Sequence, residues 1–480
     1  MIQKRLIFIF CLLPLFLLAQ TDTATHSFDF QIQGLTSSKV YLGYFMGEQS
    51  YVLDSALLDT TTFRLHYSVK RKLPEGLYFL ANTEGVILDF VSRAEKAIQI
   101  QTTYLAIYDS ATIAGSVDNL VFFQYKKSYL KTQQDINQMR RMLDMIRRAT
   151  KDKTVLAEQE RAIQNRQRQF DIELDSLIQT YPDLLTTQFL KALRLPNVAD
   201  LSKTVKPYLN DHRPNPAFWH MFRQRFFEGI DFADSRLLHS PFYAYRLGQY
   251  LGYFPTAPDS VQTYLDRVLS LSRRNPEYYQ FTLRWLTQVF DNQLDKTPNA
   301  DRYLSYLYEK YHTDSLSGTD RATLSRLKYK SETFKPTFIG TLAPAISLPD
   351  TEGVVRRLYD VKSDYTLVIF YSSLCPHCRE DMPKIRQAVQ FVDPEKFKVF
   401  AVCTDGIKAA WLPFLKEMKI ENWINVIDEK EHTDTQKAYG IPRLPVLYLL
   451  DNQKKVVLKW LKPENLGEIL SQTHNSSERK

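Results

Sequence analysis

A disulfide scaffold is the first thing this sequence lacks. Four cysteines stand among 480 residues, too few for a framework of structural bridges. Histidines such as His212, His220, His239 and His312 are scattered and never fall at His-x-x-x-His spacing, so no metal-binding pattern emerges. Glycine is scarce at 15, against 28 Tyr and 29 Phe. Such a chain builds large aromatic cores and is not a disordered polymer. Apart from Leu6–Leu18, no stretch approaches the ~20 apolar residues of a membrane-spanning helix. The formal charge of +8 is dispersed among 54 acidic side chains, which describes a solvated surface and argues against nucleic-acid binding. No internal repeat is strong enough to indicate a solenoid.

What is present begins at the N-terminus. Lys4 and Arg5 precede the apolar run, and Ala19-Gln20 offers a small residue at a cleavage point. Residues 1–19 read as a secretory signal peptide. Cleavage removes Cys11 with it and leaves three cysteines and no integral membrane segment in the mature chain. An exported chain with one close cysteine pair and one spare suits a reactive dithiol better than a scaffold.

Three further regions follow. Residues 20–115 carry short β-prone runs: His26–Gln33 and Ile98–Gln101 alternate polar and apolar positions, and Lys39–Tyr44 and Gly76–Leu80 are rich in aromatics. That pattern predicts a small antiparallel β domain of sandwich type. Residues 116–335 predict an all-α domain. It opens with a long helical hairpin whose apolar stripe includes Leu120, Phe123, Met139, Leu143 and Ile146, then Leu156, Ile163, Phe170 and Leu174. Lys335-Pro336 and Gly340 suggest a linker. From 336 to 480, strands and helices alternate, which predicts an α/β domain with a mainly parallel sheet and a final antiparallel hairpin. The fold class expected is therefore multidomain: β, then all-α, then α/β.

The chemistry lies in Val368-Ile-Phe-Tyr-Ser-Ser-Leu-Cys-Pro-His-Cys-Arg-Glu-Asp-Met-Pro383. A β-prone run ends in a short polar turn, and a helix-compatible segment begins at the cysteines. Cys375 then sits in the first turn, where free N–H groups and the helix dipole favour a thiolate. Cys378 lies one turn further in, close enough to close a small disulfide ring. A lone CxxC is also compatible with zinc, but no second pair completes a tetrahedral set. Cys403, at the end of an apolar strand, reads as a small core residue.

Gly340-Thr-Leu-Ala-Pro-Ala-Ile-Ser-Leu-Pro-Asp350, Leu358-Tyr-Asp-Val-Lys362, the CxxC, and Tyr439-Gly-Ile-Pro-Arg-Leu-Pro-Val-Leu-Tyr-Leu-Leu-Asp451 occur in order. Together they resemble the TlpA/ResA-like thioredoxin family over residues 336–475. The layout upstream resembles exported Bacteroidetes-type thioredoxin-like proteins. The resemblance implies a thioredoxin-like fold, Cys375 as the attacking thiol, Cys378 as the resolving thiol and Pro445 as the cis-proline. Pro376-His377 is the dipeptide of DsbA-like oxidants, and His377 is a candidate to favour the Cys375 thiolate. The thioredoxin acid six residues before the first cysteine is replaced by Ile369. Asp381, three residues after Cys378, stands where TlpA/ResA-like proteins often carry an acid, and is the candidate proton acceptor. Ser372 and Val368 depart from the Pro-x-x-x-Thr-x-x-Cys pattern of peroxiredoxins.

The expectation is an exported, periplasmic or cell-envelope thiol–disulfide oxidoreductase without a cofactor or metal. Its partners are protein thiols and disulfides and a redox partner, for which a membrane electron donor is one candidate. The ring dipeptide points to oxidation and the surrounding domain to reduction. The alternative is an envelope binding or scaffold protein in which the dithiol domain is accessory.

Overall fold

A computed structural model describes residues 26–477 apart from 94, 151, 210–212, 255–257, 295, 391, 430–433 and 442. The signal-peptide reading of residues 1–19 lies outside the described residues. The chain forms two compact units, Met1–Phe254 with Ser270–Tyr278, and Pro255–Leu269 with Tyr279–Lys480.

The first unit begins with eight strands: β1 (His26–Gln33), β2 (Lys39–Met46), β3 (Gln49–Leu57), β4 (Arg64–Val69), β5 (Gly76–Ala81), β6 (Val86–Ser92), β7 (Ala97–Thr103) and β8 (Thr112–Ala114). They make two four-stranded sheets, ordered β4-β1-β7-β8 and β3-β2-β5-β6. The sequence alternation is realised in β1, where every second residue from His26 to Ile32 is buried. Phe28 and Phe30 from one sheet meet Tyr78 and Phe90 from the other and form the aromatic core. One pairing departs from the antiparallel expectation, since β1 runs parallel to β7.

Two long helices follow, α1 (Val117–Ala149) and α2 (Lys153–Thr180). Ser116 and Asp152 cap them, their side chains accepting from the Asn119 and Thr154 N–H groups. The shorter helices are α3 (Leu185–Leu193), α4 (Val198–Ser202), α5 (Pro216–Gln224), α6 (Phe242–Gly252), α7 (Pro258–Ser272), α8 (Pro276–Asn292), α9 (Ala300–Leu307) and α10 (Arg321–Phe334). Phe218, Phe222, Phe226 and Phe227 are buried, so the aromatic stretch around α5 packs into a core.

The second unit ends in an α/β domain. A short hairpin of β9 (Ser347–Pro349) and β10 (Val355–Arg357) precedes a five-stranded sheet. Its strands are β11 (Tyr365–Tyr371), β12 (Phe397–Cys403), β13 (Ile424–Ile427), β14 (Val446–Asp451) and β15 (Val456–Lys459), in the order β13-β12-β11-β14-β15. β11, β12 and β13 are mutually parallel, whereas β14 is antiparallel to β11 and β15 antiparallel to β14. The sheet is therefore mixed, not mainly parallel. Alternating strands and helices do not encode strand direction, and the terminal hairpin enters beside β11 with its first strand reversed. The remaining helices are α11 (Pro376–Val389), α12 (Lys408–Met418), α13 (Asp434–Tyr439) and α14 (Pro463–Ser477). On one face of the sheet, Leu367, Ile369 and Tyr371 pack with Met382 of α11, Trp411 and Phe414 of α12 and Leu466 of α14. On the other, Val368 and Phe370 pack with Tyr439 and Tyr448. β11 is thus buried on both faces, which explains its unbroken apolar run.

At the expected linker near Lys335-Pro336 the chain makes a 3-10 turn, Lys335–Thr337, of which Thr337 is buried. Phe334 meets the Trp460 ring edge-on at 5.2 Å. Lys459 forms an ion pair with Asp301, and their side chains are 4% and 2% exposed. A buried pair of this kind fixes geometry more than it adds stability.

Candidate redox site

The site forms where β11 stops. The chain turns through Ser372–Leu374 and enters α11 with Cys375 as N-cap, in extended conformation, and Pro376 at the first helical positions. Proline suits that place because its missing N–H would have had no partner there. Pro383 lies inside the same helix, where it removes the bond that an amide at that position would give to the carbonyl four residues earlier.

Cys375 is half-buried and Cys378 fully buried, and both are free thiols. The Leu444–Pro445 peptide bond is cis, and the Leu444 carbonyl oxygen lies 4.0 Å from Cys375 Sγ. Cys375, Pro376, Cys378 and Pro445 are therefore brought to one place from two segments almost seventy residues apart. Burial pushes the Cys378 thiol well above its ordinary range. A backbone hydrogen bond from Ser372 opposes this, while Cys375 and the charge of Asp381 add to it.

Asp381 lies near enough to act on Cys378 electrostatically, with its side chain 21% exposed and Lys384 Nζ donating to Oδ1 at 2.7 Å. The His377 side chain is 79% exposed, with Nδ1 3.9 Å from Glu380 Oε2. Arg379 donates to the Ser373 carbonyl at 3.2 Å, pairs with Glu417 and lies over the Phe414 ring.

Cys403 is buried at the end of β12, opposite Tyr371. Burial, and then the charge of Asp405, pushes its thiol up to about 12, in keeping with a core residue. Asp405 itself was not singled out from the sequence. Its carboxylate accepts from the Ser372 and Ser373 hydroxyls, from the Ser373 and Ile407 N–H groups and from Cys403 Sγ. Thr404-Asp405-Gly406 after an apolar strand was readable as a turn, but nothing local named its distant partners. Among the described residues, no group of three or more His, Cys, Asp or Glu could hold a metal ion, and no helix is long and apolar enough to cross a membrane.

Residues 339–459 match the AhpC/TSA family model. The thiol-disulfide oxidoreductase ResA of Geobacillus thermodenitrificans is 27% identical over 118 residues, covering 25% of this chain and 66% of the relative. ResA of Bacillus subtilis is 28% identical over 120 residues, covering 25% of this chain and 64% of the relative. A domain of a possible thiol-disulfide isomerase from Cytophaga hutchinsonii is 36% identical, covers 30% of this chain and 99% of its own, and superposes with a TM-score of 0.28. The chain thus spans just under two thirds of the length of these ResA relatives. With a thioredoxin-like strand order, a dithiol at the N-terminus of α11 and a cis-proline opposite it, the C-terminal domain belongs to the TlpA/ResA-like thioredoxin-fold family.

Proposed function

We propose that the protein is an exported thiol–disulfide oxidoreductase of the cell envelope that exchanges disulfides with protein substrates through Cys375 and Cys378. The observation that carries this reading is the asymmetry of the pair: Cys375 is half-exposed at a helix N-terminus beside Leu444–Pro445, while Cys378 is buried one turn inside. The exposed sulfur can be reached by a substrate and the buried one only by its neighbour.

In the reducing direction, the Cys375 thiolate attacks one sulfur of a substrate disulfide. A Cys375–substrate disulfide forms and the second substrate sulfur leaves as a thiolate. Cys378 then gives up its proton, with Asp381 as the acceptor, and attacks Cys375 Sγ. The Cys375–Cys378 bond forms, the first substrate sulfur leaves as a thiolate, and both substrate thiolates take protons from water. Two electrons have passed to the substrate, and a dithiol donor must return them. Run backwards, the same steps oxidise a substrate dithiol. Leu444, which precedes Pro445, presents its carbonyl toward the site and suits pairing with an extended substrate segment.

Three features favour disulfide exchange over peroxide reduction: the close cysteine pair, Ser372 and Val368 in place of the peroxidatic Thr and Pro, and the ResA relatives. The test is exchange with 5,5′-dithiobis(2-nitrobenzoate) and with a disulfide-bonded model protein. Wild type should reduce both and Cys375→Ser should reduce neither, with unchanged thermal unfolding. A Cys375→Ser protein as active as wild type refutes the proposal. The reduction potential then gives the direction, near about −120 mV for an oxidant and near about −270 mV for a reductant.

A further inference from the structure

The turn between β11 and α11 is gripped by a carboxylate from the loop that follows β12. Asp405 Oδ2 accepts from Ser372 Oγ at 2.9 Å, Ser373 N at 2.6 Å and Ser373 Oγ at 2.7 Å. Its other oxygen accepts from Ile407 N at 3.1 Å and from Cys403 Sγ at 3.3 Å. Ser373 is fully buried, so its two donors have no water to turn to if the carboxylate is lost.

The gripped turn leads directly into the two reacting cysteines. The Ser372 carbonyl accepts from Cys375 N at 3.3 Å. The Ser372 backbone also favours negative charge on Cys378, against the effect of burial. Leu374 N closes the turn on Ser372 Oγ at 3.1 Å.

Asp405 is itself firmly seated. Thr404 N donates to the Tyr371 carbonyl at 2.8 Å, and Asp428 N to the Cys403 carbonyl at 2.9 Å. Gly406 follows at φ +67°, and a Cβ there would lie 3.1 Å from the Asp428 and Glu429 carbonyl oxygens. The loop is thus restricted to glycine at that point and leaves the carboxylate little freedom. Burial alone would raise the Asp405 carboxyl, but hydrogen bonds from Ser373, Ile407, Ser372 and Cys403 outweigh it and keep the group ionised.

We propose that Asp405 is a positioning residue for the exchange site: its carboxylate holds the Ser372–Ser373 turn in the shape from which α11 starts, with the Ser372 carbonyl set against Cys375 N and Cys378 in the turn that follows. The consequence falls mainly on the resolving step. Cys375 keeps its helix N-terminus without the clamp, whereas the fully buried Cys378 must develop its charge away from water, at the turn that the clamp shapes. The inference rests on the disulfide-exchange reading above.

Full-length protein with 5,5′-dithiobis(2-nitrobenzoate) separates the two steps. Cys375 attack releases one thionitrobenzoate and leaves a mixed disulfide. Cys378 attack on Cys375 Sγ releases the second and forms the intramolecular bond. In Asp405→Ala the second release should slow about tenfold or more, the scale set by losing hydrogen bonds to a charged group, while the first changes far less. Asp405→Asn keeps one acceptor oxygen and should recover part of the rate. Should Asp405→Ala fail to fold, Ser373→Ala removes one donor with the carboxylate in place and should slow the second release alone. An unchanged second release in folded Asp405→Ala overturns the proposal. So does an equal slowing of both releases together with a lowered melting temperature, which marks a structural role only. A wild-type protein that releases no thionitrobenzoate refutes the exchange reading instead.

Discussion

The β1–β8 sandwich and the β11–β15 sheet bury aromatic side chains alike, but a carboxylate just past a strand end acts at a different range in each: Asp59 in the first, Asp405 in the second. In the sandwich, Asp59 closes its own turn. Asp59 bonds Thr61 and Thr62. Each partner lies within three residues. In the α/β domain, Asp405 reaches back 33 and 32 residues to Ser372 and Ser373. A local turn stabilises only itself, while a clamp between two strand ends fixes one loop against another. That second arrangement is what a pre-organised site requires.

If the sandwich serves packing alone, damage to its core should change stability and leave thiol chemistry intact. Phe90 is fully buried, with ring centroids 5.5 Å from Phe28, 5.2 Å from Phe30 and 5.8 Å from Tyr78. Phe90→Ala should cost about 3–5 kcal/mol in denaturant unfolding, with exchange per folded molecule unchanged. A fall in that specific rate would break the contrast and give the sandwich a share in the chemistry.

What could be read from sequence follows the same division between near and far. Val368–Tyr371 was legible as a buried strand, Cys375 as a helix-start cysteine and Pro445 as its counterpart, because each signal sits in a few consecutive residues or a known motif order. The Asp405 grip was not, since Thr404-Asp405-Gly406 reads the same whether the acid closes its own turn or another strand's. The contacts around Lys335–Thr337 were equally hidden, since the Lys459–Asp301 pair beside that turn joins residues 158 apart. The parallel pairing of β1 with β7 has the same cause, as alternation sets which face is buried and not which neighbour a strand takes.

His312 extends the comparison to a buried polar residue in the helical part of the second unit. It is 4% exposed. Its ring nitrogens lie 2.7 Å from Thr287 Oγ1 and 2.8 Å from Thr319 Oγ1. Burial, and then the charge of Arg326, lowers its pKa from 6.5 to about 4. The folded state therefore favours neutral imidazole. The unfolded state takes up the proton first as pH falls, so this stability is complete above about 6.5 and is lost as pH drops toward 4. The loss should be roughly 3 kcal/mol. Unfolding free energy measured from pH 7 to pH 4 should show that slope, and His312→Gln should flatten it. An unchanged slope in the variant would assign acid sensitivity to other groups.

Asp381 tests the site side of the contrast. It lies on α11, acts electrostatically on Cys378 and holds Lys384. As proton acceptor for the resolving thiol, it should slow only the second release of thionitrobenzoate when replaced. Asp381→Asn is expected to reduce that step by about 10- to 100-fold, at or just below the usual contribution of a general base. The mixed disulfide should then accumulate and be visible by intact-mass measurement. Equal rates in both proteins would leave water as the acceptor and make Asp381 a surface partner of Lys384, no different in kind from Asp59 in its own turn.

The smallest effect is expected at His377, where the dipeptide reading meets the observed geometry. An imidazolium beside Cys375 favours the thiolate and makes the couple more oxidising. The side chain is 79% exposed, however, and its nearest charge is Glu380 at 3.9 Å. A charge so placed acts through water and is screened. His377→Ala should therefore make the couple more reducing by less than about 30 mV, a factor of under ten in the equilibrium constant against glutathione. No shift would mean that the Glu380 contact fully offsets the imidazole. A larger shift would require the ring to leave Glu380 for the sulfur, and Glu380→Gln should then shift the couple in the oxidising direction by releasing it.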